Sequence, residues 1–119
     1  MKASSMVTDV ELWTALAAEL VAREKGVSHG KMMSSDAVTF GGRVFAFHTG
    51  KGRFEGLGIR LGRTFDVDAL ALSSWEYLAP FKSKPPMKDW ILVGPAERKR
   101  WPELARLALK QMKADGAPA

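Results

Sequence analysis

Apolar positions along this chain recur first at helical spacing, then at strand spacing, and finally at helical spacing again. Trp13, Leu16, Ala17, Leu20 and Val21 sit three and four residues apart, which lines them along one face of a helix. Thr8 followed by Glu11 is a capping-box pattern at its start, and Gly26 stops it, so the first helix is expected from about Thr8 to Lys25. Glu19, Arg23, Glu24 and Lys25 occupy the other edge, as suits a helix lying with one stripe on a flat surface.

The period then falls to two. Lys31 to Ser34 reads as a short strand, Ser35-Asp36 as a turn, and Ala37 to Phe40 as a strand joined to Arg43–His48 through Gly41-Gly42. A Gly-Gly pair supplies the positive φ angles of a tight hairpin. Strict alternation would send Phe45 and Phe47 to one face and Val44, Ala46 and His48 to the other, and apolar groups on both faces suggest a central strand. Phe54 to Leu61 places Leu57, Ile59 and Leu61 on one face and Gly56, Gly58 and Arg60 on the other. Glycines inside a strand mark a bulge or the close approach of another group, here either helix packing or a ligand groove.

A short second helix is expected near Thr64 or Asp66, built on Phe65, Ala69 and Leu72. Strands at Tyr77–Phe81 and Trp90–Val93 flank a loop stiffened by Pro85-Pro86. After Gly94-Pro95, Ala96 to Arg100 forms a single turn. Pro102 then occupies the first turn of a last helix striped by Leu104, Ala105, Ala108 and Met112, since a proline deeper inside would clash and remove a hydrogen bond.

The element order is α-β-β-β-α-β-β-α, an α+β fold with helices packed on a single antiparallel sheet. A length of 119 residues suits one domain, ordered over about 8–115 with fraying termini. The 46% apolar and 26% charged composition is that of a globular protein, with no repeat or low-complexity block. Cysteine is absent, which excludes disulfides and thiolate metal sites, and the N-terminus lacks the apolar core of a secretory signal. The longest apolar stretch, Trp13 to Ala22, is interrupted by Glu19 and falls short of the roughly 20 residues that span a bilayer. A cytoplasmic protein without membrane association is the expectation.

Lys31-Met32-Met33, the hairpin into Val44-Phe45-Ala46-Phe47, the run Pro86 to Val93 (PMKDWILV) and Leu104 to Leu109 (LARLAL) together resemble the TfoX N-terminal domain family, which neighbours YjbR-like and secretion-chaperone-like folds. The resemblance covers nearly the whole chain and departs at Ser34-Ser35, where the family usually shows glycines. It implies the fold and, through the family's association with DNA-uptake regulation, a regulatory or nucleic-acid-linked role. It carries over no catalytic residue.

The residues themselves supply no catalytic constellation. His29, read as a loop residue, and His48, read as a strand end, lack ligand spacing and adjacent cysteines, so no metal site is expected. Asp66 and Asp68 read as helix-start residues, and Ser34-Ser35 and Ser73-Ser74 as turn and cap residues outside any Gly-x-Ser-x-Gly elbow. Gly50-Lys51-Gly52-Arg53 lacks the remaining elements of a phosphate loop. The chain is thus expected to be no enzyme and to need no cofactor.

Charge is the global clue. The net charge of +5 is concentrated late, at Lys82, Lys84, Lys88, Arg98, Lys99, Arg100, Arg106, Lys110 and Lys113. Lys82, Lys84, Lys88, Arg98, Lys99 and Arg100 are the candidate contacts for nucleic acid or another anion, with Phe81 or Trp90 as stacking surfaces. The other reading of this charge is a solvated basic surface. Four tryptophans and six phenylalanines, beside Met32-Met33, suggest apolar surface in excess of one small core. Two functions follow: a regulatory binding module linked to DNA or an acidic protein partner, or a protein-interaction or homodimerisation module that binds no nucleic acid.

Overall fold

The computed structural model describes residues 8–32, 35–51, 54–62, 64–73, 75–78 and 87–116. Helix α1 (Asp9–Arg23) begins with the reciprocal cap its sequence encodes: the Glu11 N–H donates to the Thr8 hydroxyl at 3.1 Å, and the Thr8 N–H donates to the Glu11 carboxylate at 3.0 Å. Six strands follow: β1 (Val27–Met32), β2 (Ser35–Phe40), β3 (Arg43–Lys51), β4 (Phe54–Arg60), β5 (Trp75–Leu78) and β6 (Met87–Val93). They form one antiparallel sheet in the order β1-β2-β3-β4-β6-β5. The chain closes with a 3-10 segment (Pro95–Arg100) running into helix α2 (Trp101–Gly116).

The α+β class and single antiparallel sheet are as expected, and the four strands before the middle helical element answer to the four strand segments read between Lys31 and Leu61, one more than the order α-β-β-β-α-β-β-α contains. That element is only a 3-10 turn, Val67–Leu70, bounded by Gly62 at φ 95° and the left-handed Ala71 at φ 53°. So few residues between two breaks cannot propagate an α-helix. Strand β1 starts at Val27, so His29 lies within it, and Ser35-Asp36 belongs to β2 instead of forming a turn. The strand expected at Tyr77–Phe81 is found at Trp75–Leu78; residues 79–81 and Ser34 lie outside the described residues.

Gly41 and Gly42 turn the β2–β3 hairpin at φ 60° and 85°, as their sequence predicts. Just beyond it the alternation breaks. Val38 pairs with Ala46 but Thr39 pairs with Val44, leaving Phe45 as an extra residue on β3. This bulge turns Phe45 to the same face as Ala46 and His48, while Phe47 and Val44 take the other, so the expected pairing of Phe45 with Phe47 on one face is corrected.

Both described helices pack on that first face. Trp13, Leu16, Ala17 and Leu20 of α1 and Trp101, Leu104, Ala105, Ala108 and Met112 of α2 bury themselves against Val38, Phe45, Leu57, Ile59, Ile91 and Val93. The second face carries a smaller cluster, Ala37, Phe47, Leu78 and Trp90, to which neither helix contributes. Among the described residues the large apolar side chains left exposed are Val10 and Tyr77, so the core absorbs most of the aromatic content. No helix of the described residues is long and apolar enough to cross a membrane.

The glycines of β4 are demanded by packing. A Cβ on Gly58 would lie 2.3 Å from the Phe47 ring; one on Gly56, at φ 139°, would lie 2.1 Å from the Val93 carbonyl oxygen. The loose positions behave differently, since a Cβ on Gly41 meets nothing within 4 Å. Gly56→Ala should therefore cost about 3 kcal/mol or more, combining backbone strain with a backbone clash, whereas Gly41→Ala should cost about 1 kcal/mol from its left-handed φ alone. Urea denaturation of both variants checks the ranking, and equal losses would contradict the packing described.

Candidate functional site

The cations singled out by sequence do not form one free patch. Lys82 and Lys84 lie outside the described residues. Arg98 donates to the Asp9 carboxylate of α1 at 2.9 Å. Arg100 donates to the Leu70 carbonyl at 2.6 Å and grips Glu103 through Nε and Nη2 at 3.3 and 3.0 Å. Further along, Arg106 reaches Glu19 at 2.9 Å and Lys113 reaches Glu24 at 3.6 Å. Three of these pairs join the ends of the chain, and they advance together along α1 and α2, so the two helices run in the same direction. Lys88 and Lys99 are exposed and have no ion pair among the described residues. Trp90 offers no stacking surface: it is buried against Phe47 at 5.5 Å between ring centroids.

The structure assembles a different group on the helix face. Lys31 pairs with Asp36 across β1 and β2, and His48 pairs with Leu57 across β3 and β4. Continuing the Ala37–Phe47 register by one residue sets Asp36 beside His48, so Lys31, Asp36 and His48 form one cross-strand row. The Lys31 ammonium donates to Asp36 at 2.7 Å. That hydrogen bond, and then the Lys31 charge, hold the Asp36 carboxyl below its usual range; slight desolvation opposes them, and the charges of His29 and His48 add to them. His48 is the polar side chain buried in the core among the described residues, its ring stacked on Trp13 at 6.2 Å and 18° and tilted against Trp101 at 5.6 Å. Two residues away on the same face of β1, His29 joins Lys31, Thr14, Trp13 and Ala17 in lining a cleft of about 400 Å³ between α1 and the β1–β2 hairpin.

A second cleft, about 590 Å³, is lined by Arg60, Thr64, Asp66, Asp89 and Gln111. Arg60 lies 3.7 Å from Asp89, whose backbone carbonyl accepts from the Leu61 and Gly62 N–H groups. The neighbouring Gly56 and Gly58 are filled by Val93 and Phe47, which favours close packing over a ligand groove at those two positions.

The remaining sequence candidates take structural places. Asp66 makes no side-chain capping bond, contrary to its expected role, because a four-residue 3-10 turn replaces the helix it would have capped. Ser73 donates both its N–H and its hydroxyl to Glu97, and these two bonds hold the Glu97 carboxyl below its usual range, with Arg100 contributing less. Ser74 and residues 52–53 lie outside the described residues, and Gly50 and Lys51 belong to β3. Among the described residues no three His, Cys, Asp or Glu side chains converge as metal ligands.

The Asp36 carboxyl is depressed in the folded state, so its stabilising contribution is present above the ordinary carboxylate range and is lost as pH falls through the depressed value. In Lys31→Met the carbon-13 titration of the Asp36 carboxyl should move up toward the usual range, and an unchanged curve would contradict the assigned cause. Comparison of the chain with protein-family models, curated proteins and solved structures returns no match.

Proposed function

We propose that the protein is a non-enzymatic binding module that associates with a second protein chain, a second copy being the simplest case, through the outer edge of β5. The observation that carries this reading is that, among the described residues, β5 is an edge strand paired on β6 alone, and it bears the exposed Tyr77 packed edge-to-face on the half-buried Trp75 at 5.2 Å. An open edge offers main-chain hydrogen bonds to an incoming strand, and Tyr and Trp are the side chains that most often anchor such contacts. Glu76 between them points to the opposite side of the strand, which adds a charge that restrains promiscuous pairing.

The resemblance to the TfoX N-terminal domain supports a regulatory role for such a module by analogy of fold. The pairing of Arg98 and Arg106 with α1, and of Lys113 with Glu24 just past its end, weighs against a DNA-linked role, because these three late cations are engaged by carboxylates. Lys88 and Lys99, exposed and without ion pairs among the described residues, are what favour DNA or an acidic partner as a second reading.

Light scattering after gel filtration, from about 10 to 200 μM, should show mass rising toward a dimer for the native chain and a monomer for Tyr77→Arg, which buries a charge at the contact. A monomer throughout would contradict self-association at this edge. Fluorescence anisotropy with duplex DNA in low salt decides the second reading: affinity that falls steeply with salt and is lost in Lys88→Ala/Lys99→Ala would favour it over the first.

A further inference from the structure

We propose that the cleft between α1 and the β1–β2 hairpin binds a small organic carboxylate with a flat apolar body, independently of the β5 edge. Three observations meet there. The cleft, at about 400 Å³, falls within the range of about 300–1,000 Å³ that holds small ligands. Its donors stand close together. Lys31 and His29 are two residues apart on one face of β1, and the exposed Lys31 ammonium gives one hydrogen to Asp36 at 2.7 Å and leaves two for a ligand. Its apolar wall is rigid, because Trp13 is buried and stacked on His48.

A carboxylate entering the cleft accepts from the Lys31 ammonium, with the His29 ring N–H and the Thr14 hydroxyl, which also line it, as the remaining donors. The ligand's body then lies toward Trp13 and Ala17. Asp36 sets the charge balance: already engaged by Lys31, it remains ionised and repels a second anionic group, which favours a monocarboxylate over a polyanion. The Arg60 cleft has the opposite balance, since Asp66 and Asp89 both line it around one guanidinium.

Phenylacetate is a suitable probe, with phenylacetamide as its uncharged counterpart. Titration of the nitrogen-15-labelled chain should shift the amides of Thr14, Ala17, His29, Gly30, Lys31 and Asp36, with a Kd on the order of 1 mM for so few atoms. Phenylacetamide should bind at least about tenfold more weakly, the loss of one charge-assisted contact. Lys31→Met should weaken phenylacetate to the same degree while leaving the rest of the spectrum folded, and Lys31→Arg should retain binding. The proposal is overturned by no shift at about 20 mM, by equal shifts from the amide, or by shifts centred on the Arg60 cleft.

Discussion

The His48 ring, stacked on Trp13 and tilted against Trp101, ties the two ends of the chain to its middle strand, and the rest of the structure depends on that tie. Trp13 belongs to the first helix, Trp101 to the first turn of the last, and His48 to a strand flanked on both sides. Trp101 is fully buried, and its indole N–H donates to the Gly94 carbonyl at 3.4 Å, which fixes where the 3-10 segment meets α2. A polar ring in an otherwise apolar core adds directionality to a contact that hydrophobic burial alone would leave free to slide. Both helices are thereby held on one face.

Around this tie the electrostatics are local. Asp9 and Glu19 of α1, with Glu24 just past its end, are far in sequence from the basic side chains of the C-terminal segment and adjacent to them in space, where they meet as three partly exposed pairs. Each such pair contributes about 1 kcal/mol at most, so they orient the helices more than they stabilise them. Their larger consequence is for function, because a run of cations that reads as a polyanion site in one dimension is matched in three at Arg98, Arg100, Arg106 and Lys113, while Lys88, Lys99 and Lys110 have no ion pair among the described residues. The two surfaces proposed for partners, the aromatic edge of β5 and the cleft beside β1, lie at opposite ends of the sheet.

Much of the fold was legible in the chain, for local reasons. The Thr8 and Glu11 cap, the Gly41-Gly42 hairpin, the stripe of α2 and the position of Pro102 are all set by residues within one turn of each other. The bulge at Phe45 was not legible, because it depends on which residues of β2 lie opposite, and nothing in Val44-Phe45-Ala46 breaks the alternation by itself. The 3-10 turn reads as a helix in the sequence because Phe65, Ala69 and Leu72 have helical spacing, while the left-handed Ala71 that ends it carries no glycine signature. The cleft is hidden in the sequence for a related reason. Local spacing places His29 in a loop and Asp36 in a turn, and only the sheet register brings Lys31, Asp36 and His48 into one row.

If the His48 ring is the element that couples the helices, Trp13 and Trp101 must communicate although they sit on different helices. A double-mutant cycle of Trp13→Leu and Trp101→Leu, read by urea denaturation, measures that coupling. An interaction energy of at least about 1 kcal/mol, lost when the cycle is repeated in a His48→Leu background, is the predicted result. Losses that add to within about 0.5 kcal/mol in the native background would contradict it.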